Sequence, residues 1–129
     1  ERLPDVRLNL GNQQGNRLQG LADFQAILPA LDERARVLLN AGHLLAVDED
    51  VLAFAQAFAG RIAVVHLRDL RGDRPVPFGQ GDLPFAELFS ILKGAQYAGD
   101  FVIELENFDW ASPRDALSAA RAYVEEAWN

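Results

Sequence analysis

Two histidines and one glutamate follow apolar runs of this sequence, at positions where side chains can do chemistry. His43 and His66 are the only histidines of the chain, and Glu104 comes directly after the run Phe-Val-Ile. Imidazole and carboxylate groups ligate metals and transfer protons. A carboxylate buried at the end of a strand needs a partner, a metal or a proton. These three residues are therefore the first candidates for a functional site.

Four short apolar runs predict the strands that position these side chains. They lie at residues 6–10, 37–39, 62–65 and 101–103, and the last three are continuous rather than alternating. Continuous apolar runs are typical of strands that are covered on both faces, as in parallel sheets. Ligands of parallel α/β folds bind at the carboxyl ends of the strands, which is where the candidate residues fall.

Helical periodicity fills the segments between these runs. The apolar positions of residues 21–31 share one helix face, and Pro29 is expected to close that helix early. The expected caps of the next three helices are Asp48, Asp82 and Ser112. The order β-α-β-α-β-α-β-α predicts an α/β fold with a parallel sheet and right-handed crossovers, in one domain over residues 1–129.

Composition removes several classes of function. The 129-residue chain has 12 lysines and arginines against 19 aspartates and glutamates, which gives a net charge of −7, and it has no cysteine. An acidic chain without a basic run is a poor nucleic-acid binder, and a cysteine-free chain has no disulfide and no thiolate-bound zinc. No apolar stretch is long enough to span a membrane and no signal-peptide pattern opens the chain, so we expect no membrane partner and a cytoplasmic location.

Four motifs, in order along the chain, carry a resemblance to a known family. They read Asn-Ala-Gly-His at 40–43, Val-His-Leu-Arg-Asp at 65–69, Phe-Gly-Gln-Gly-Asp-Leu-Pro-Phe at 78–85 and Tyr-Ala-Gly-Asp-Phe-Val-Ile-Glu at 97–104. The chain resembles the carboxyl-terminal half of the xylose isomerase-like TIM barrels. That superfamily contains sugar isomerases, sugar epimerases and the family 2 apurinic endonucleases. The resemblance implies a parallel (βα)4 half of a TIM barrel.

The resemblance also implies a divalent metal, Mn, Mg or Zn, held by Glu, Asp, His and Glu at strand ends. The metal polarises the sugar while the two glutamates move protons. The metal histidine falls on His66, and the last glutamate, which is both ligand and catalytic group, falls on Glu104. The aspartate falls on Asn40 and the first glutamate on Gly11. Since both replaced groups are anionic, we expect metal to bind weakly or not at all.

The resemblance also implies that His43 and Arg68 correspond to residues on the substrate side of the family's site. The chain is thus interpreted as a relative of metal-dependent sugar isomerases and epimerases with weak or no activity. The alternative is a non-catalytic module that binds a small sugar or polyol or assembles with a partner. An apurinic endonuclease is the weakest reading, because it needs several metal-binding histidines and a basic face.

Simpler roles for the same residues stay open at this point. Glu104 can form a structural ion pair with Arg68, His66 can hydrogen bond to a neighbouring strand, and His43 can cap a turn. We interpret Asp69 and Glu106 as solvated or helix-capping. The loop at residues 79–82 is expected to be a tight turn, whose amides could instead hold a substrate phosphate.

Four βα units cannot close a barrel, so the two outer strands are expected to have open edges. Proteins avoid such edges because they promote aggregation. The barrel can be completed to eight strands by a homodimer that pairs the last strand of one copy with the first strand of the other. It can also be completed by a missing amino-terminal half. The absence of methionine and the start at Glu1 fit either interpretation.

Overall fold

A four-stranded parallel sheet is the centre of the computed structural model, which describes residues 6–106 and 110–129. Its strands, in spatial order, are β1 (Leu8–Gly11), β2 (Ala35–Asn40), β3 (Ile62–Leu67) and β6 (Asp100–Ile103). A separate antiparallel hairpin of β4 (Leu70–Arg71) and β5 (Arg74–Pro75) follows β3. Sheet neighbours are joined by crossovers that contain helices, as predicted. The predicted parallel half barrel is confirmed.

Within the part of the chain that the structure describes, five α-helices connect and cover these strands. They are α1 (Leu21–Ile27), α2 (Ala41–Leu45), α3 (Val51–Phe58), α4 (Phe85–Gly94) and α5 (Pro113–Trp128). Helix α1 ends in a 3₁₀ turn, Leu28–Ala30, that contains Pro29, because proline cannot donate the next helical hydrogen bond. Ser112 caps α5 as predicted, by accepting a hydrogen bond from the backbone N–H of Asp115.

Two of the predicted helix caps are wrong. The cap of α3 is Asp50, whose carboxylate accepts from the amides of the second and third helical residues, each at 2.9 Å. Asp48 has a φ of 56° and lies in the left-handed turn before the helix. Asp82 accepts from the amide of Gly72 in the hairpin, and α4 begins without a side-chain cap.

The hydrophobic core lies between the sheet and its helices. Strand residues of one parity are fully buried there, and aromatic rings from the helices pack on them, with Phe24 and Phe54 centred 5.0 Å apart. The buried strand residues are Val37, Leu39, Val65 and Leu67. The opposite face of the sheet would line the interior of a barrel. It carries Leu38, Val64 and Val102, and Val102 is 38% exposed.

Continuous apolar strands therefore have one face in the core and one face that lacks a complete cover. Within the described residues, no helix is both long and apolar enough to cross a bilayer.

Candidate functional site

Three polar side chains from neighbouring strands meet at the carboxyl rim of the sheet. Asn40 ends β2 and stands beside His66 in the β2–β3 register. His66 pairs in turn with Val102 of β6, and Glu104 lies two residues further along on the same face. Since side chains alternate between the faces of a strand, all three residues point to the barrel-interior side. The structure thus brings together three residues that the sequence placed at separate strand ends.

Glu104 is bonded through both carboxylate oxygens. The His66 Nδ1–H donates to Oε1 at 2.6 Å, and the Asn40 Nδ2 donates to Oε2 at 3.3 Å. The side chains of His66 and Glu104 are only 22% and 15% exposed. A partly buried carboxylate is therefore satisfied by its two strand neighbours. The simpler alternative, an ion pair between Glu104 and Arg68, is wrong.

Asn40 is fixed by hydrogen bonds to both its side chain and its backbone. Its Oδ1 accepts from the backbone N–H of His43 at 3.3 Å and so caps the short helix α2. Asn12, which is 2% exposed, bonds the backbone of Asn40 from the end of β1. It donates from Nδ2 to the Asn40 carbonyl at 2.9 Å and accepts from the Asn40 amide at 2.7 Å. Sequence reasoning assigned no role to Asn12, although its place after the first apolar run was a usable signal.

His43 and Arg68 form a second group on this rim. Arg68 is buried, and its Nη2 donates to His43 Nδ1 at 3.5 Å while Nη1 donates to Glu106 at 3.2 Å. Arg68 Nε is buried with no hydrogen-bond partner in the described residues. Burial and then the charge of Arg68 lower the pKa of His43, so that its imidazole is neutral at neutral pH. Glu106, expected to be solvated or helix-capping, is exposed and pairs with Arg68.

The glycine of the motif at residues 40–43, Gly42, lies directly against the side chain of Arg68. A Cβ atom at this position would lie 2.8 Å from both Cβ and Nε of Arg68. Real Cβ atoms do not approach other heavy atoms so closely. Glycine therefore lets the buried arginine pass directly over the start of α2.

Asp69 has a structural role that differs from the expected one. It is 1% exposed rather than solvated, and its carboxylate accepts from the amides of Gly79, Gly81 and Leu83 at 2.9, 2.9 and 3.1 Å. Burial raises the pKa of Asp69, while these amide hydrogen bonds act in the opposite direction. Because the Gly79 and Gly81 amides already bind Asp69, the proposed phosphate cradle in this loop is wrong.

Gly11 lies on the same interior face, beside Leu38 of β2. A Cβ at Gly11 would be 3.5 Å from Leu38 Cδ2, which is an ordinary van der Waals contact. The position therefore has room for a side chain. In residues 6–106 and 110–129, no three His, Cys, Asp or Glu side chains are grouped so that they could hold a metal ion.

The fold and this rim define half of a TIM barrel with its polar site at the carboxyl ends of the strands. The chain belongs to the xylose isomerase-like TIM barrel family, whose model matches residues 4–127. This family includes sugar epimerases and isomerases, which are metal-dependent in general.

Named relatives agree with this family. The chain is 35% identical over 86 residues to the L-ribulose-5-phosphate 3-epimerase UlaE of Salmonella paratyphi A, covering 65% of this chain and 30% of that enzyme. Among solved structures, D-allulose 3-epimerase from Methylomonas sp. superposes with a TM-score of 0.78 at 18% identity, covering 95% of this chain and 49% of that one. Mannonate dehydratase from Streptococcus suis serotype 2 gives 0.80 at 15% identity, with coverages of 95% and 42%. The chain therefore spans about half or less of the length of these proteins.

Proposed function

We propose that this chain binds a small sugar or sugar phosphate at the carboxyl rim of the half barrel, and that it catalyses metal-dependent isomerisation or epimerisation weakly or not at all. The observation that carries the proposal is the pairing of Glu104 with His66 and Asn40. The one strand-end carboxylate that the resemblance assigns to both metal binding and proton transfer is already bonded on both oxygens.

The donor set does not fit a divalent cation. Such cations prefer carboxylate oxygens. Asn40 turns its Nδ2 to Glu104 and its Oδ1 to the His43 amide, and Gly11 has no side chain to offer. An aspartate at position 40 would place two carboxylates together and so would favour a bound cation. The amide N–H of Asn40 stabilises Glu104 without one.

The residues best placed to bind a sugar are His43 and Arg68. Because Nδ1 of the neutral His43 accepts from Arg68, its Nε2 carries the ring proton and can donate to a sugar hydroxyl, while the Arg68 cation attracts anionic or electron-rich groups. The ligand class is taken from the relatives' names, which include an L-ribulose-5-phosphate 3-epimerase and a D-allulose 3-epimerase. Ketoses and ketose phosphates are therefore the first ligands to test.

Restoring the missing carboxylates tests the metal part of the proposal. We expect the Asn40→Asp/Gly11→Glu double variant to bind Mn²⁺ at least about tenfold more tightly than the unmodified chain, since affinity follows the number of charged ligands. Isothermal titration calorimetry measures this. The matched control is Gln56→Glu, which adds a carboxylate on the exposed surface of α3 and should not change Mn²⁺ binding.

Ligand binding and turnover are measured on the same proteins. L-ribulose 5-phosphate and D-allulose should raise the melting temperature of the unmodified chain, and Arg68→Ala should abolish that shift. Epimerisation should stay near background with Mn²⁺ present. Tight stoichiometric Mn²⁺ binding together with rapid epimerisation by the unmodified chain would show that the proposal is wrong.

A further inference from the structure

Arg68 is a buried cation that pairs with one carboxylate. The residue is 4% exposed, and the atoms that bury it all belong to this chain. An arginine side chain keeps its proton in proteins, so a buried guanidinium group needs an anion beside it. The Nη1 of Arg68 donates to Oε2 of Glu106 at 3.2 Å. Among the described residues, Glu106 is therefore the counter-ion of this arginine.

Two other carboxylates near Arg68 are bonded elsewhere. Glu104 accepts from His66 at one oxygen and from Asn40 at the other. Asp69, the next residue in the chain, accepts three amide hydrogen bonds from the loop at residues 79–83. Neither carboxylate forms a hydrogen bond with Arg68 in the described part of the chain. The charge of this arginine is thus balanced chiefly by Glu106.

The two partners of this ion pair are held very differently. The Arg68 side chain is 5% exposed, packs against Gly42 and donates from Nη2 to His43 Nδ1 at 3.5 Å. The Glu106 side chain is 54% exposed, and its carboxylate forms one hydrogen bond within the described residues, to Arg68. A carboxylate in contact with water loses little when it separates from its partner. The arginine is therefore fixed, while the glutamate can be displaced.

The position of the Glu106 carboxylate is also the place where a ligand oxygen would bind. The Nε of Arg68 is buried without a hydrogen-bond partner among the described residues, and a Cβ at Gly42 would lie 2.8 Å from it. The Nη2 atom faces His43. The Nη1 atom, which faces the exposed Glu106, is the one that a ligand can reach. An anionic ligand oxygen at Nη1 would have to replace Glu106 Oε2.

We propose that Glu106 is a specificity-determining residue, a built-in anion that occupies the position of a ligand's anionic group at Arg68 and must leave before such a group binds. The inference rests on the proposed function, since it concerns the ligand that binds beside His43 and Arg68. With Glu106 in place, the neutral pair favours sugar hydroxyl groups over a phosphate or carboxylate at this point. Without it, the unbalanced arginine favours the anionic group.

Inorganic phosphate is the probe for this role, because it presents the anionic group without a sugar. Glu106→Gln removes the charge and keeps the size of the side chain. We expect phosphate to bind this variant at least about tenfold more tightly than the unmodified chain, because a like charge no longer opposes it. Isothermal titration calorimetry in a phosphate-free buffer measures the difference. The Glu106→Gln/Arg68→Ala double variant should lose the gain.

Glu125→Gln is the matched control. It removes a glutamate from another arginine pair, Arg121 and Glu125, whose side chains are 74% and 58% exposed. Because Arg121 stays solvated, phosphate affinity should not change. An equal gain in Glu125→Gln would mean that the lower negative charge of the whole chain attracts phosphate, and the role of Glu106 would be wrong. Equal phosphate affinity of Glu106→Gln and the unmodified chain would overturn the proposal as well.

Thermal melting, followed by circular dichroism, covers the case in which Glu106→Gln folds poorly. A buried arginine without its counter-ion destabilises a protein, so this variant should melt below the unmodified chain in a chloride buffer. Added phosphate should restore its stability. Because phosphate stabilises proteins in general, the measured quantity is the rise in excess of that of Glu125→Gln. A destabilised Glu106→Gln that phosphate does not rescue beyond this control would contradict the proposal.

The phosphate measurements are independent of sugar binding. If neither L-ribulose 5-phosphate nor D-allulose raises the melting temperature of the unmodified chain, the proposed function is wrong. The comparison of Glu106→Gln with Glu125→Gln still decides whether Glu106 blocks an anion position at Arg68.

Discussion

Among single residues, Asn40 shows how a rim can be stabilised by hydrogen bonds where the family resemblance expects a metal. Its side chain donates to Glu104 and caps α2 at His43, while its backbone carbonyl accepts from Asn12 Nδ2 and its backbone N–H donates to Asn12 Oδ1. Its side chain thus links β2 to β6 and to α2. The same geometry gives Glu104 a hydrogen bond at each carboxylate oxygen.

Sequence reasoning could predict which residues approach each other on this rim. The carboxyl ends of parallel strands meet at one edge, so Asn40, His66 and Glu104 were expected to be close. Their individual hydrogen bonds could not be predicted. Arg68 pairs with Glu106 rather than Glu104 because of side-chain packing that only the folded chain defines.

Gly42 provides a prediction for a single residue. Gly42→Ala should destabilise the protein by about 1–3 kcal/mol, because its Cβ would press on Arg68 in a closely packed region. Urea unfolding measures the change. The matched control is Gly60→Ala, where a Cβ meets no atom within 4 Å, and it should change stability by less than about 0.5 kcal/mol. Equal effects of the two substitutions would contradict the steric explanation.

Among the elements, the strands were the most predictable part of this fold. The apolar runs located all four strands of the main sheet. The structure extends β2 and β3 to the polar residues Asn40 and His66, because the hydrogen-bonded ladder continues past the apolar residues. The short helix α2 and the hairpin β4–β5 were not predicted. Each is too short to show a period, and α2 begins at a cap, Asn40, whose side-chain hydrogen bond only the folded chain shows.

The cap of α3 gives a prediction for an element. Asp50→Ala should destabilise the protein by about 1 kcal/mol, because two helix amides lose their acceptor. Asp48→Gly should be neutral or stabilising by up to about 1 kcal/mol, because the φ of 56° suits glycine. Thermal unfolding of the two variants separates these effects. A larger loss of stability from Asp48→Gly than from Asp50→Ala would indicate that Asp48, and not Asp50, caps α3.

At the scale of the whole molecule, the half barrel has a core on one side only. The helix-covered face buries rings such as Phe24 and Phe54, while Val102 on the opposite face and Leu8 and Leu117 at the edges stay exposed. The sequence predicted open edges from the number of βα units alone. It could not predict that Leu8 and Leu117 would be exposed beside these edges, since that depends on how the strands and α5 pack.

Concentration dependence of stability gives a prediction for the whole molecule. If the expected homodimer forms through the open sheet edges, a roughly tenfold increase in protein concentration should raise the melting temperature, because only the folded state associates. Differential scanning calorimetry over a concentration series measures this. The Leu8→Glu variant is the control and should melt at one temperature throughout. A melting temperature that is independent of concentration in the unmodified chain would contradict the dimer.

The spatial order of the sheet has a consequence for how the chain is built. Every strand of the main sheet pairs with the strand of the preceding βα unit, so each pairing joins segments that are close in sequence. Each pairing still has to close a loop of one whole βα unit, which makes it slower to form than the pairing of a hairpin. Because each strand docks on the strand made before it, the units can add in order as the chain leaves the ribosome.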